Sequence, residues 1–156
     1  MRHLQETDYP AIISKLDEWW GGRPMRGLLP RLFFQHFSDT SWVIEDHGEV
    51  VGFLIGFLSQ VFQDTGYIHF VGVHPLYRAN GLGKQLYEQF FKAMRDHGRH
   101  IVEAITSPVN RESVAFHTRM GFVVVPGDAI VESIPVHRNY DGCGGDRVIF
   151  RKTLVR

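Results

Sequence analysis

Between the apolar run Tyr67 to Val73 and a segment with helical spacing lies Arg78-Ala79-Asn80-Gly81-Leu82-Gly83-Lys84. A strand that feeds a glycine-bearing turn into a helix leaves the helix's first N–H groups unpaired at the positive end of its dipole, and phosphate is the natural guest. Gly81 and Gly83 let the backbone approach an anion with no Cβ in the way, while Arg78 and Lys84 add positive charge on either side. Two nucleotide fingerprints fail here. The pattern G-x-G-x-x-G needs a third glycine where Leu86 stands, and a P-loop needs glycine at Arg78 and Ser or Thr at Gln85. On the residues alone two readings remain: a phosphate cradle, or a tight strand-to-helix turn and nothing more.

Other reactive residue types fall away. Nine histidines contain no H-E-x-x-H, and His97 and His100 straddle Gly98, where a helix should stop, so no metal site is expected. Cys143 has flexible glycines for neighbours rather than a base, which argues against a nucleophilic thiol. One cysteine cannot form an internal disulfide, as suits a reducing compartment. Lys plus Arg equals Asp plus Glu at 17 each, so the broad field that draws proteins onto nucleic acid or anionic membranes is missing, and any anion site must be local. The first residues hold no apolar signal core, and the run Val50 to Leu58 falls short of the roughly 20 residues a membrane span needs. A single soluble, cytoplasmic domain is the expectation from 156 residues that are 44% hydrophobic and 22% charged.

The elements that must position the turn alternate in type. Met1 to Gln5 reads as a short strand, and Asp8 caps a helix with Pro10 in its first turn that runs towards Trp20 until Gly21, Gly22 and Pro24 break it. A second short helix is expected from Leu28 to Phe37. Two runs rich in Val, Ile and Phe around His47-Gly48 predict a hairpin, and the stretch from Gly66 to Val73 is apolar enough for a central strand. Leu82, Leu86, Phe90 and Met94 recur every four residues until Gly98, which predicts a helix. His100 to Ser107 reads as a strand, and Asn110 caps a helix ending at Gly121. This order predicts an α/β fold with a mixed sheet that includes parallel pairs, flanked by helices.

The turn, with Val71-Gly72-Val73-His74-Pro75 before it, resembles the R/Q-x-x-G-x-G/A signature and preceding strand of the GNAT superfamily of N-acetyltransferases. Asn110 to Phe122 is similar to that family's N-x-x-[AS]-x-x-[FL]-Y-x-x-x-G-[FY] helix, and both motifs fall on the predicted elements in the right order. The resemblance implies six to seven strands with about four helices, and acetyl-CoA as co-substrate without a metal. It implies that the amides of Ala79, Asn80, Gly81, Leu82, Gly83 and Lys84 cradle the pyrophosphate. The main chain at Val71 and Val73 would pair with the pantetheine arm like an added strand, with an N–H near Val73 polarising the thioester carbonyl. Asn110 would reach the cofactor or an active-site water.

Acetyl transfer to an amine needs a base, because amines with reference pKa values of about 8 to 10 are mostly protonated at neutral pH. The family resemblance points to Glu103 or His69, acting through water. On an unbroken strand His69 would share a face with Val71 and Val73. Where the family carries a Tyr that reprotonates the thiolate, this chain has His117. His117 either takes over as acid or is a packing residue, in which case Tyr140 donates or the thiolate leaves unaided.

By the same resemblance the acceptor site would be walled by the segments around Trp19, Trp20, Arg23 and Arg26 and around Asp141 and Asp146. Those residues suit an amine with an apolar part and a carboxylate, the acidic ones holding an ammonium. The plainer alternative makes the tryptophans core, the arginines solvated and the aspartates turn residues. The expected function is therefore transfer of an acetyl group from acetyl-CoA to the primary amine of a small molecule or amino acid, with a protein N-terminus as a lesser alternative. A non-catalytic acyl-CoA sensor and a purely structural domain are the competing classes, and a homodimer is an expected partner state.

Overall fold

The computed structural model describes residues 1–156. In chain order it runs through β1 (Arg2–His3), α1 (Tyr9–Trp19), α2 (Leu32–His36), β2 (Trp42–Asp46), β3 (Glu49–Leu58), β4 (Thr65–Val73), α3 (Leu82–Asp96) and β5 (Ile101–Thr106). It continues with α4 (Arg111–Arg119), β6 (Val123–Val124), β7 (Ala129–Val131), β8 (Ile134–Val136) and β9 (Val148–Thr153). Seven strands form one mixed sheet in the order β1-β2-β3-β4-β5-β9-β6, with β4 and β5 parallel. No helix is long and apolar enough to cross a membrane.

Helices cover both faces. Leu86, Tyr87, Phe90, Phe91 and Met94 of α3 are buried, as their spacing predicts, against Leu54, Ile68, Val102 and Phe150. The helix can lie this close because of two glycines: a Cβ on Gly66 would come within 2.0 Å of Met94 Sδ, and one on Gly56 within 2.4 Å of the Phe90 ring. On the opposite face Ile12 and Leu16 of α1 and Phe34 of α2 pack on Val43, Phe53, Ile55 and Phe70. His47 and Gly48 both take positive φ, 50° and 78°, the pairing that closes a two-residue hairpin turn between β2 and β3.

Three expected elements differ in extent. The first strand has only two residues. The segment from Leu28 to Phe37 divides into a 3-10 turn (Arg26–Leu28) and the five-residue α2, because Pro30 between them has no N–H to carry a helix through. The stretch before the last strand contains the separate hairpin β7-β8.

The feature that matters most lies in β4. Its pairing with β5 covers only Thr65 to Ile68 against Ile101 to Ala104, after which β5 continues alongside β9 and β4 alongside β3. The next residue, His69, is a bulge: Phe70 pairs with Ile55 and Ile68 with Gly56, so His69 opposes nothing. Beyond it the alternation is shifted by one. Val71 packs with Ile68 on the α3 side, whereas Phe70 faces α1 and α2. The expected shared face of His69, Val71 and Val73 is therefore corrected: His69 stacks on Phe33 of α2, across the sheet from Val71.

Candidate active site

An open cleft of about 1310 Å³ follows the gap between β4 and β5 and is walled at its two ends by the first turn of α3 and the loop after α1. None of the six consecutive N–H groups from Ala79 to Lys84 has a partner within the protein; the first backbone bond is Gln85 N–H to the Gly81 carbonyl at 3.0 Å. Gly81 holds φ +77° as the N-cap of α3, and Ala79 is also left-handed at +66°. A Cβ on Gly81 would meet nothing within 4 Å, so the space above this turn is open. Along β4, the His74 N–H bonds the Val51 carbonyl at 2.8 Å, and antiparallel pairs alternate. Gly72 and Phe70 therefore bond across to Phe53 and Ile55, and Val71 and Val73 turn their N–H and C=O groups outward to the gap. Arg78 folds back rather than flanking the turn: its Nε donates to the Val73 carbonyl at 3.2 Å and its Nη2 to the Trp19 carbonyl at 2.5 Å, tying the end of α1 to the end of β4. Lys84 is exposed and 3.7 Å from Glu88.

At the far wall, His117 of α4 is 5% exposed and lies parallel to Phe150, ring centroids 4.1 Å apart. Its Nδ1 is 2.7 Å from the Ser113 carbonyl and so carries the proton, leaving Nε2 to accept from the Tyr87 hydroxyl at 2.8 Å. Burial lowers its pKa to about 4, against a smaller raising effect from the Ser113 bond, so the ring is neutral near pH 7. Asn110 Oδ1 accepts from Ser113 N–H at 3.1 Å, capping α4 beside the cleft.

On the α1/α2 side, His69 donates from Nε2 to the Leu28 carbonyl at 2.6 Å and stacks on Phe33 at 4.1 Å. Burial lowers its pKa, the Leu28 bond opposing. Its Nδ1 has no protein partner and is not one of the sealed, partnerless atoms, which are His100 Nδ1 and His137 Nε2, so it is reached by solvent, and the residue lines the cleft. Tyr67, Trp20, Arg23, Asp141 and Arg147 line the same cleft. Burial pushes the Tyr67 phenol up, with Tyr140, Asp141 and Glu103 adding negative potential.

The sequence profile of the Acetyltransferase (GNAT) family matches residues 2–122. The chain belongs to that family. An L-2,4-diaminobutyric acid acetyltransferase of Virgibacillus pantothenticus is 37% identical over 82 residues, 53% of this chain and 52% of that protein. The chain spans about half the length of the curated relatives that it matches. The ribosomal-protein-alanine N-acetyltransferase structure from Brucella melitensis superposes with TM-score 0.72 at 20% identity, covering 98% of each chain. The structure of yncA from Salmonella typhimurium with its cofactor acetyl-CoA gives 0.69 at 20% identity, covering 99% of this chain and 93% of the other. Both structural likenesses speak for the fold.

Within this GNAT fold the sequence-derived residues divide. Val71, Val73, Ala79, Gly81, Leu82, Gly83 and Lys84 line the cleft, as do Asn110, His69, His117, Trp19, Trp20, Arg23 and Asp141. Others do not. Glu103 is held by Arg151 of β9, with Oε1 2.9 Å from Nε and 2.8 Å from Nη2, because the two are cross-strand partners. Arg26 is paired with Asp17 at 3.0 Å. Tyr140 is half exposed outside the lining, and Asn80 also lies outside it. Trp19 is core as well as lining, packed on Phe53 and His74. Asp146 accepts the Asn139 N–H at 2.9 Å, which is turn chemistry. Sequence reasoning missed Tyr67, Tyr87 and Arg147. Tyr87 had a signal, lying four residues after Gly83 on the same side of the helix.

Proposed function

We propose that this chain is an acetyl-CoA-dependent N-acetyltransferase acting on a primary amine of a small, amino-acid-like acceptor, in the cytoplasm. The observation that carries the reading is the continuity of the six free amides of Ala79 to Lys84 with the unpaired β4 edge at Val71 and Val73. It offers a phosphate cradle followed by a strand-like docking edge. Acetyl-CoA, when bound, supplies the activated acetyl thioester.

The chain's own residues account for the rest. The Ala79 to Lys84 amides hold the pyrophosphate, and the outward N–H of Val71 or Val73 polarises the thioester oxygen as charge develops. His69 Nδ1 takes the amine's proton, directly or through a water, with Nε2–H fixed on Leu28 so that the lone pair faces the acceptor. His117, neutral and engaged at both nitrogens, fixes α4 against α3 and is not an acid. The coenzyme A thiolate, a stable leaving group, departs without one. Relatives named for L-2,4-diaminobutyric acid support a small acceptor that bears an amine and a carboxylate.

Calorimetric titration of acetyl-CoA against wild type and Gly81→Glu tests the reading, followed by thiol release over a panel of amines. Gly81→Glu puts a carboxylate into the open space above the cradle, and affinity is expected to fall by about a hundredfold or more through charge repulsion and a left-handed φ. A folded wild type that binds no acetyl-CoA, or a variant that binds as well, would overturn the cradle. Binding without release for any amine would leave an acyl-CoA sensor.

A further inference from the structure

The loop from His137 to Arg147 is built with more care than a connection needs. Asp141 N–H donates to the Gly145 carbonyl at 3.0 Å, Gly145 N–H to the Gly142 carbonyl at 2.8 Å, and Gly144 N–H to Asn139 Oδ1 at 3.0 Å. Gly142 and Gly144 take φ +91° and +76°, which the ring of bonds requires and which glycine adopts without strain. A Cβ on Gly145 would come within 2.8 Å of the Asp141 carbonyl oxygen, so no side chain fits there. His137 and Arg147 then bridge the two ends of the loop, with N–H to O distances of 2.8 and 3.1 Å. These bonds fix two residues, Asp141 and Arg147, in the cleft wall close enough to Tyr67 to act on its phenol, two residues before His69 on β4.

The two are oppositely charged and half used. Arg147 Nε lies 2.8 Å from Asp141 Oδ2, and Arg147 Nη1 donates to the Asp146 carbonyl at 2.8 Å. Arg147 Nη2 and Asp141 Oδ1 have no partner in the protein. Arg147 is 22% exposed and Asp141 45%, which places the pair where the cleft shields it in part from water. One free cationic donor next to one free anionic acceptor is the complement of a zwitterion. A planar guanidinium suits a carboxylate and a carboxylate suits an ammonium. Both residues line the cleft.

We infer that Asp141 and Arg147 clamp the head group of an α-amino acid acceptor, Arg147 Nη2 taking the α-carboxylate and Asp141 Oδ1 the α-ammonium. Because the α-amine is then held as an ammonium, the amine acetylated is a second one, carried further along the acceptor's side chain towards His69. The clamp rests on the transferase reading above and names its substrate class.

Three acceptors separate the contacts: 2,4-diaminobutyrate, 1,3-diaminopropane, which lacks the carboxylate, and 4-aminobutyrate, which lacks the α-amine. With saturating acetyl-CoA, Arg147→Met is expected to raise KM for 2,4-diaminobutyrate and 4-aminobutyrate about tenfold or more, the loss of one charge-assisted hydrogen bond, leaving 1,3-diaminopropane within about threefold. Asp141→Asn should raise KM about tenfold for 2,4-diaminobutyrate and 1,3-diaminopropane and spare 4-aminobutyrate. Equal changes on all three acceptors, or none, overturn the clamp. Acetyl-CoA affinity reports whether each variant is folded; should Arg147→Met lose it, Arg147→Lys keeps the charge without the fork and is read the same way. If wild type binds acetyl-CoA yet turns over none of the three, the wider amine panel decides the transferase reading. Calorimetric binding of 2,4-diaminobutyrate to the coenzyme A-loaded protein then decides the clamp. Binding lost in Arg147→Met upholds it; binding equal in both proteins, or absent from wild type, overturns it.

Discussion

Replacing His69 by Gln removes the imidazole that we propose as the proton acceptor in the cleft. The structural cost can be bounded from its contacts. The Nε2 bond to Leu28, at 2.6 Å, contributes about 1 kcal/mol, and the parallel stack on Phe33 about 0.5–1.5 kcal/mol. A loss near 2 kcal/mol against a typical stability of about 5–15 kcal/mol leaves the variant folded at 25 °C. The catalytic cost is larger, since a positioned general base is worth about 10² to 10⁴ in rate, or about 2.7–5.4 kcal/mol. Steady-state thiol release should therefore show kcat down by about a hundredfold or more, with acetyl-CoA affinity unchanged. The pH profile adds a sign. Burial lowers the His69 pKa below its ordinary value, so wild-type activity falls off only below that depressed value, where the ring protonates, and His69→Gln should lack this acid limb. A kcat within about threefold of wild type, or an acid limb that survives in the variant, would refute His69 as base.

Other outcomes follow from the same geometry. His117→Phe keeps the ring on Phe150 but strands the buried Tyr87 hydroxyl; urea unfolding should show a loss of about 1–3 kcal/mol while kcat stays within about threefold. Because His117 titrates near 4 when folded, against about 6.5 unfolded, its stabilising neutrality is fully present above pH 6.5. It is lost as pH falls towards about 4, a change on the order of 3 kcal/mol that His117→Phe should flatten in unfolding curves taken across that window. Glu103→Gln breaks only an exposed cross-strand pair with Arg151, so stability should drop by about 1 kcal/mol or less, with the pH profile of turnover unmoved.

The turn proposed to hold the cofactor was legible in the sequence because it is local. A strand, a glycine turn and a helix adjacent in the chain must be adjacent in space, and the amides of Ala79 to Lys84 need no distant partner. The acceptor half was not, because its residues arrive from three separate segments. Nothing in a run of residues shows that Arg23 turns into the cleft while Arg26, three residues on, meets Asp17. Glu103 has the chemistry of a base, and nothing local shows that its cross-strand neighbour on β9, 48 residues away, is Arg151. Arg147, beside the apolar start of the last strand, carries no local mark of a cleft residue. Period-two counting along β4 failed at one residue, since a bulge on one strand is set by register with its partner rather than by its own composition.

That single residue joins the two halves of the site. Parallel pairing of β4 with β5 ends at Ile68, and the bulge follows at once at His69. Had β4 kept the alternation set by Ile68, the Val71 and Val73 side chains would stand with His69 on the α2 side. The inserted residue instead turns them to the α3 side and leaves the imidazole on the α2 side, bonded to the Leu28 carbonyl, while the main-chain groups of Val71 and Val73 face the gap. The same local change thus puts the proposed proton acceptor on one side of the sheet and the proposed docking edge along its plane, only two to four residues apart in sequence. An attacking amine and a thioester carbonyl need that disposition: they must meet near the strand, with the base approaching from the amine's side and the polarising N–H from the carbonyl's.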